Sequence, residues 1–238
     1  MNTQLDTQLN TPREDLEYAI KGELYSVERL EEYAEFLAEE LKVTDHFKTD
    51  HSLLPRMKEN GLKLLSSYVT LNKALRRKDP IPPAGEWLTD NFHIVEDQLR
   101  EINEDLPPAF YKELPKITIG DLTGYPRIYA IALALIAHTD SQLESNTIRR
   151  FVLSYQKVTP LRIGELWALA ITLRLVLVEN LRRISDRLVI DLEKRNAANQ
   201  FVDQLFDVVD DTIKFQNLIQ TLPSHCNQSD EKDCAFVA

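Results

Sequence analysis

The run Leu166-Trp167-Ala168-Leu169-Ala170-Ile171-Thr172-Leu173-Arg174-Leu175-Val176-Leu177-Val178 is the most apolar stretch of the chain. Its reading decides the fold. At 13 residues it is too short to span a bilayer, which takes about 20, so it predicts a helix buried in protein. Charged and polar groups interrupt and flank it: Glu165, Arg174, Glu179, Asn180, Arg182 and Arg183. Buried charge is costly unless paired. Arg174 and Glu179 are therefore expected to neutralise each other, or groups of the Glu86–Glu96 stretch and Arg127.

Outward from this run the chain reads as further helices. Thr11-Pro12-Arg13-Glu14 has the cap, proline and acid of a helix start. Apolar residues then recur every three or four positions from Leu16 to Ala38, predicting a helix over 12–42. A second helix is expected over 45–78, with Pro55 as a break near its start and Leu62, Leu65, Val69 and Leu75 keeping the helical period. Asp79-Pro80-Ile81-Pro82-Pro83 stops it. A third helix is expected over 84–103, then an irregular connector over 109–124. Helices follow over 125–139, 143–157, 163–199 (with a possible break near Ser185) and 200–222; Thr159-Pro160 reads as the start of the third of these. No segment reads as a convincing strand. The fold class is all-α, a multi-helix bundle of long antiparallel helices. Residues 1–11 are expected to be a disordered N-terminus, 12–222 a helical domain with a possible sub-boundary near 79–83, and 223–238 a polar loop with the cut-off start of a further helix. Because one helical turn cannot hold itself, the chain is expected to be a fragment.

Composition narrows the function. The net charge is −10, which argues against a nucleic-acid partner and gives no reason to expect adsorption to anionic lipid. The 6 glycines leave no Gly-rich phosphate loop, and no Cys-x-x-Cys or nucleophile elbow occurs. The 2 cysteines, Cys226 and Cys234, lie in the polar tail, which suggests a reducing compartment.

The densest polar cluster runs from Glu86 to Asp97. On one continuous helix Glu86, Asp90, His93 and Asp97 share a face, but a di-iron bundle needs a second Glu-x-x-His helix that the chain lacks. A polar network pairing with arginines is the expectation instead. His138 is expected at a helix C-terminus, where a protonated imidazole complements the dipole. Trp87, Phe92, Tyr125, Tyr129 and Trp167 fall at core spacing. The candidate structural or interaction network comprises Glu86, Trp87, Asp90, Asn91, His93, Glu96, Arg127, Tyr129, His138, Glu165, Arg174, Glu179, Asn180 and Arg182. No catalytic residue, cofactor or metal site is assigned.

Five blocks, in order, resemble the N-terminal region of cyclic β-1,2-glucan synthases. They are Pro83 to Leu99; Asp105-Leu106-Pro107-Pro108 with Tyr111 to Pro115; Gly124 to Tyr129; Ala137 to Ser141; and Val158 to Trp167, with Leu173-Arg174 and Val178 to Arg183. The resemblance covers about residues 80 to 185. It implies a very large bacterial inner-membrane enzyme that joins a transferase using UDP-glucose to a phosphorylase-like module. This chain would then be a non-catalytic scaffold on the cytoplasmic side, soluble by itself, with the transferase module of the parent chain as its partner. None of the family's catalytic acidic motifs has a counterpart here. The alternative is a stand-alone helical protein-interaction module.

Overall fold

A computed structural model describes residues 22–45 and 52–207. Among them are eight helices and one pair of two-residue strands, and the chain is all-α. In order they are α1 Val27–Glu40, β1 Val43–Thr44, α2 Leu53–Arg76, α3 Pro83–Asp90, α4 Phe92–Asp105, α5 Pro108–Glu113, β2 Lys116–Ile117, α6 Arg127–His138, α7 Ser145–Val158 and α8 Ile163–Asp207. No helix among the described residues is long and apolar enough to cross a membrane. The chain divides into two compact units, one ending at Asp186 and the other beginning at Arg187. In the second, Leu192 and Phe201 are buried while Val202 and Phe206 are exposed. All the candidate residues lie in the first.

Ser26 starts α1: its hydroxyl accepts from the Arg29 N–H at 3.3 Å, and Glu28 occupies the first turn, where the helix dipole favours an acid. Leu30, Ala34 and Ala38 then bury one stripe. The helix expected over 12–42 is not continuous, because residues 22–26 are non-helical. Instead the Gly22 N–H donates to Ala137 O and the Tyr25 N–H to His138 O. These bonds satisfy carbonyls that the end of α6 would otherwise leave open. The start expected at Thr11 lies outside the described residues, as do the tail from 208 and both cysteines.

The buried residues of α2 are Leu53, Met57, Asn60, Leu64, Ser67, Leu71 and Ala74. Their alternating spacing of four and three is a heptad seam. Leu62, Leu65 and Val69, which carried the sequence reading, form a second apolar stripe, and it faces outward. Gly61 lies against Leu99 and Tyr68 stacks on Phe92 at 4.3 Å, so α2 and α4 run antiparallel. The pair α1 and α7 differs: Arg150 bonds Glu31 at 2.7 Å, Lys157 bonds Glu35 at 2.8 Å, and Thr159 bonds Ala38 O at 3.2 Å. Ascending positions meet ascending positions, so these two helices are parallel.

Three local features escaped the sequence. The helix expected over 84–103 breaks at Asn91, where φ is −113° and ψ 18°; the Asn91 side chain donates to Trp87 O at 2.8 Å, competing with the helical ladder. The connector expected over 109–124 contains most of α5, opened by Pro108 at its first position, and β2, which pairs antiparallel with β1 (Val43↔Ile117, Thr44↔Lys116). Two-residue strands are too short to show an alternation of period two. Gly120 and Gly124, with φ of 92° and 86°, turn the chain back toward α6.

Arg127 to Ala137 are all buried, which makes α6 the central helix. The helix α8 starts at Ile163, after Thr159-Pro160: Thr159 terminates α7, its N–H donating to Tyr155 O. The run Leu166–Val178 is helical as expected, and α8 passes Ser185 unbroken, the Ser185 hydroxyl donating back to Leu181 O at 2.7 Å.

Candidate functional site: two buried carboxylates on one helix

Glu165 sits in the first turn of α8. Its Oε2 accepts from the Arg162 N–H at 3.0 Å, the backward reach of a capping box. Arg127, at the start of α6, holds the same carboxylate with both prongs: Nε to Oε1 at 2.8 Å and Nη2 to Oε2 at 2.6 Å. Both side chains are buried. A bidentate guanidinium matches the plane of a carboxylate and fixes its orientation. Arg127 also donates to Pro160 O at 3.3 Å, and its guanidinium lies 5.9 Å from the Tyr155 ring centre. Burial raises the Tyr155 phenol above its ordinary value, against the pull of the Arg127 charge. The Tyr155 hydroxyl has no hydrogen-bond partner among the described residues.

Glu179, fourteen positions further along α8 and so about 21 Å along its axis, is the second buried carboxylate. Its Oε1 accepts from Arg56 Nε and, at 3.5 Å, from Asn60 Nδ2, both on α2. Its Oε2 accepts from the Tyr129 hydroxyl at 2.7 Å. Burial holds the Tyr129 phenol well above its ordinary value, and the neighbouring Glu179 charge adds to that. Burial disfavours the charge on Arg56, but Glu179 outweighs it and its pKa stands raised. Arg127 and Tyr129 are two positions apart on α6, so their side chains leave it in nearly opposite directions. One reaches Glu165 and the other Glu179. Two carboxylates of α8 thus tie it to α6, and the second also ties it to α2.

The other sequence candidates fall elsewhere. Arg174 does not meet Glu179; it bonds Glu101 at 3.1 Å and approaches Asp105 at 3.9 Å on α4, in a half-exposed pair. The break at Asn91 puts Glu86 and Asp90 on α3 but His93 and Glu96 on α4, so they do not share one helical face. Trp87 and Trp167 are 50% and 72% exposed, against the core reading, whereas Phe92 and Tyr129 are buried. Asn180 donates to Ser141 Oγ at 2.8 Å and accepts from Arg183; Arg182 bonds Asp186. His138 ends α6. Its Nδ1 lies 2.7 Å from Glu23 O, and since a carbonyl only accepts, Nδ1 carries the proton. The ring stacks on Tyr25 at 4.0 Å and meets Tyr33 edge-on at 4.8 Å.

Arg56, Asn60, Tyr155 and Arg162 were missed. A signal existed for two of them: Arg56 and Asn60 are four apart and a polar residue in an apolar seam marks a specific partner. Reading Pro55 as a break hid it.

Each of the four carboxylate oxygens of Glu165 and Glu179 has at least one donor. The donors to Glu165 come from the start of α6 and from the Arg162 N–H, and those to Glu179 from α2 and α6. Among the described residues no three His, Cys, Asp or Glu side chains gather as a metal-holding group.

The chain is similar to the cyclic beta-(1,2)-glucan synthase NdvB of Rhizobium meliloti (strain 1021), with 35% identity over 213 residues. The match takes in 87% of this chain and 8% of the relative, so the chain spans less than a tenth of the length of the protein it matches. This bears out the resemblance read from the five sequence blocks. No protein-family model matches the chain, and no solved structure matches it.

Proposed function

We propose that the chain is a non-catalytic helical scaffold of a cyclic β-1,2-glucan synthase, packing against and ordering the transferase module of its parent. The observation that carries this reading is the disproportion of the match: nearly all of this chain corresponds to a small part of a much larger synthase. The state of the buried acids supports it, since every carboxylate oxygen of Glu165 and Glu179 accepts at least one hydrogen bond and these bonds join α2, α6 and α8. Trp167 and Ile163, 72% and 68% exposed at the start of α8, offer an apolar patch that a neighbouring module would cover. On this reading the parent uses UDP-glucose, and the scaffold lies on the cytoplasmic side of the bacterial inner membrane.

The test has two arms. Purified chain incubated with radiolabelled UDP-glucose is expected to release no UDP and make no glucan; turnover by the isolated chain would overturn the reading. Deleting the matching segment from a full-length synthase is expected to lower the yield and thermal stability of the remaining enzyme. A deletion mutant with unchanged stability and glucan output would equally sink it.

A further inference from the structure

The net charge of −10 averages over faces that differ. Arg56 is turned toward Glu179. Beyond it, residues 57–78 carry the cations Lys58, Lys63, Lys73, Arg76, Arg77 and Lys78, against the single acid Glu59. The buried seam fixes which way α2 faces. At 3.6 residues per turn, Lys58, Leu62, Leu65, Val69, Lys73 and Arg76 fall in a sector about 80° wide, opposite that seam. Leu62, Leu65 and Val69 are 62%, 43% and 41% exposed there, and the three cations are exposed at either end of them. An apolar stripe flanked at both ends by lysine and arginine therefore points outward from the body of an acidic chain.

We infer that this face of α2 binds an anionic lipid surface. The two chemistries of the stripe select that occupant together. Nucleic acid would neutralise the cations and leave three aliphatic side chains unburied; an apolar protein groove would bury the aliphatics and strand the cations. At a bilayer interface the aliphatics enter the acyl boundary while lysine and arginine extend to headgroup phosphates. Each cation near such a surface strengthens binding roughly fivefold. The inference does not rest on the scaffold reading, since vesicle binding succeeds or fails whichever module the chain packs against.

The experiment is sedimentation of the full chain with vesicles of phosphatidylcholine alone or mixed with phosphatidylglycerol. Binding is expected to the anionic vesicles only, and to weaken as salt is raised. The double variant Lys73→Glu, Arg76→Glu is expected to lose about 25-fold or more in affinity. The double variant Leu62→Ser, Val69→Ser is expected to lose about tenfold. Both change exposed side chains, and unchanged circular dichroism verifies the fold. Equal binding to both lipid compositions overturns the inference. So does an apolar variant that binds as well as the parent chain, which is the behaviour of a purely electrostatic nucleic-acid face.

Discussion

Arg127 and Glu165 illustrate why a buried pair is fragile to single changes. Replacing Arg127 with Ala leaves Glu165 charged and buried, at a cost of about 3–5 kcal/mol. Replacing both by Met and Leu is expected to cost far less, because neither charge is then stranded; urea unfolding of the two variants measures the difference. Tyr129→Phe removes the donor to Glu179 Oε2 and is expected to cost about 1–3 kcal/mol at neutral pH. Its pH dependence is the sharper check. The Tyr129 pKa is raised in the fold, first by burial and then by Glu179, from an ordinary 10.0. The fold therefore favours the protonated phenol, and that contribution is complete below pH 10 and is lost as pH rises further. Titrated from pH 9 upward, stability should fall less steeply in the Phe variant; an identical slope would show that this phenol is not held protonated by the fold. Gly22 is also specific. A Cβ there would lie 2.6 Å from Cε1 and Nδ1 of His138, whose ring is fixed by Tyr25 and Glu23 O. Gly22→Ala is expected to destabilise by about 1–3 kcal/mol, read as a lowered Tm.

At the scale of elements, much of the fold was legible. Stops written in proline fall where expected, since Asp79 to Pro83 follows the end of α2 and Pro107-Pro108 the end of α4, but the helix that Pro108 itself opens was not read. What failed were faces and pairings. On α2 both stripes have helical spacing, and only packing against α4 at Gly61 and Tyr68 selects the buried one. The contact of α1 with α7 is laced by Glu28 and Glu31 with Arg150, and by Glu35 with Lys157. The Glu31 carboxyl is lowered chiefly by its bond from Arg150, and that of Glu28 by backbone and Ser26 hydrogen bonds with Arg150 adding to them. Depressed acids stabilise the fold above their unfolded pKa, near 4.5, and lose that effect as pH falls through the folded value. Protection of the α1 amides, relative to their intrinsic exchange rate at each pH, is therefore expected to fall below that range, and also when salt rises from about 0.1 to about 1 M, as exposed pairs are screened. Salt-independent protection of α1 would mean that Leu30, Ala34 and Ala38 alone secure it.

At the scale of the whole molecule, the exposed Trp167 separates a side chain that stabilises this chain from one that serves a neighbour. Trp167→Ser is expected to change the stability of the isolated chain by no more than about 0.5 kcal/mol. In a full-length synthase the matching change should weaken the hold on the transferase module by about 2 kcal/mol or more, the scale of a buried aromatic anchor. Thermal unfolding of both proteins distinguishes the cases, and a large loss in the isolated chain would return Trp167 to the core.

The sequence by itself determined that the chain is helical, where several helices start or stop, and that the middle of α8 from Thr172 to Asn180 is largely buried, because those properties follow from local periodicity, caps and prolines. It also named Arg127, Tyr129, Glu165 and Glu179 among the fourteen candidates for a polar network. Only the tertiary structure decided who their partners are: Glu179 meets Arg56 from more than a hundred positions away, and Arg174 turns to α4. Pairing depends on how helices cross in space, and a one-dimensional period carries no information about the neighbour on the other side.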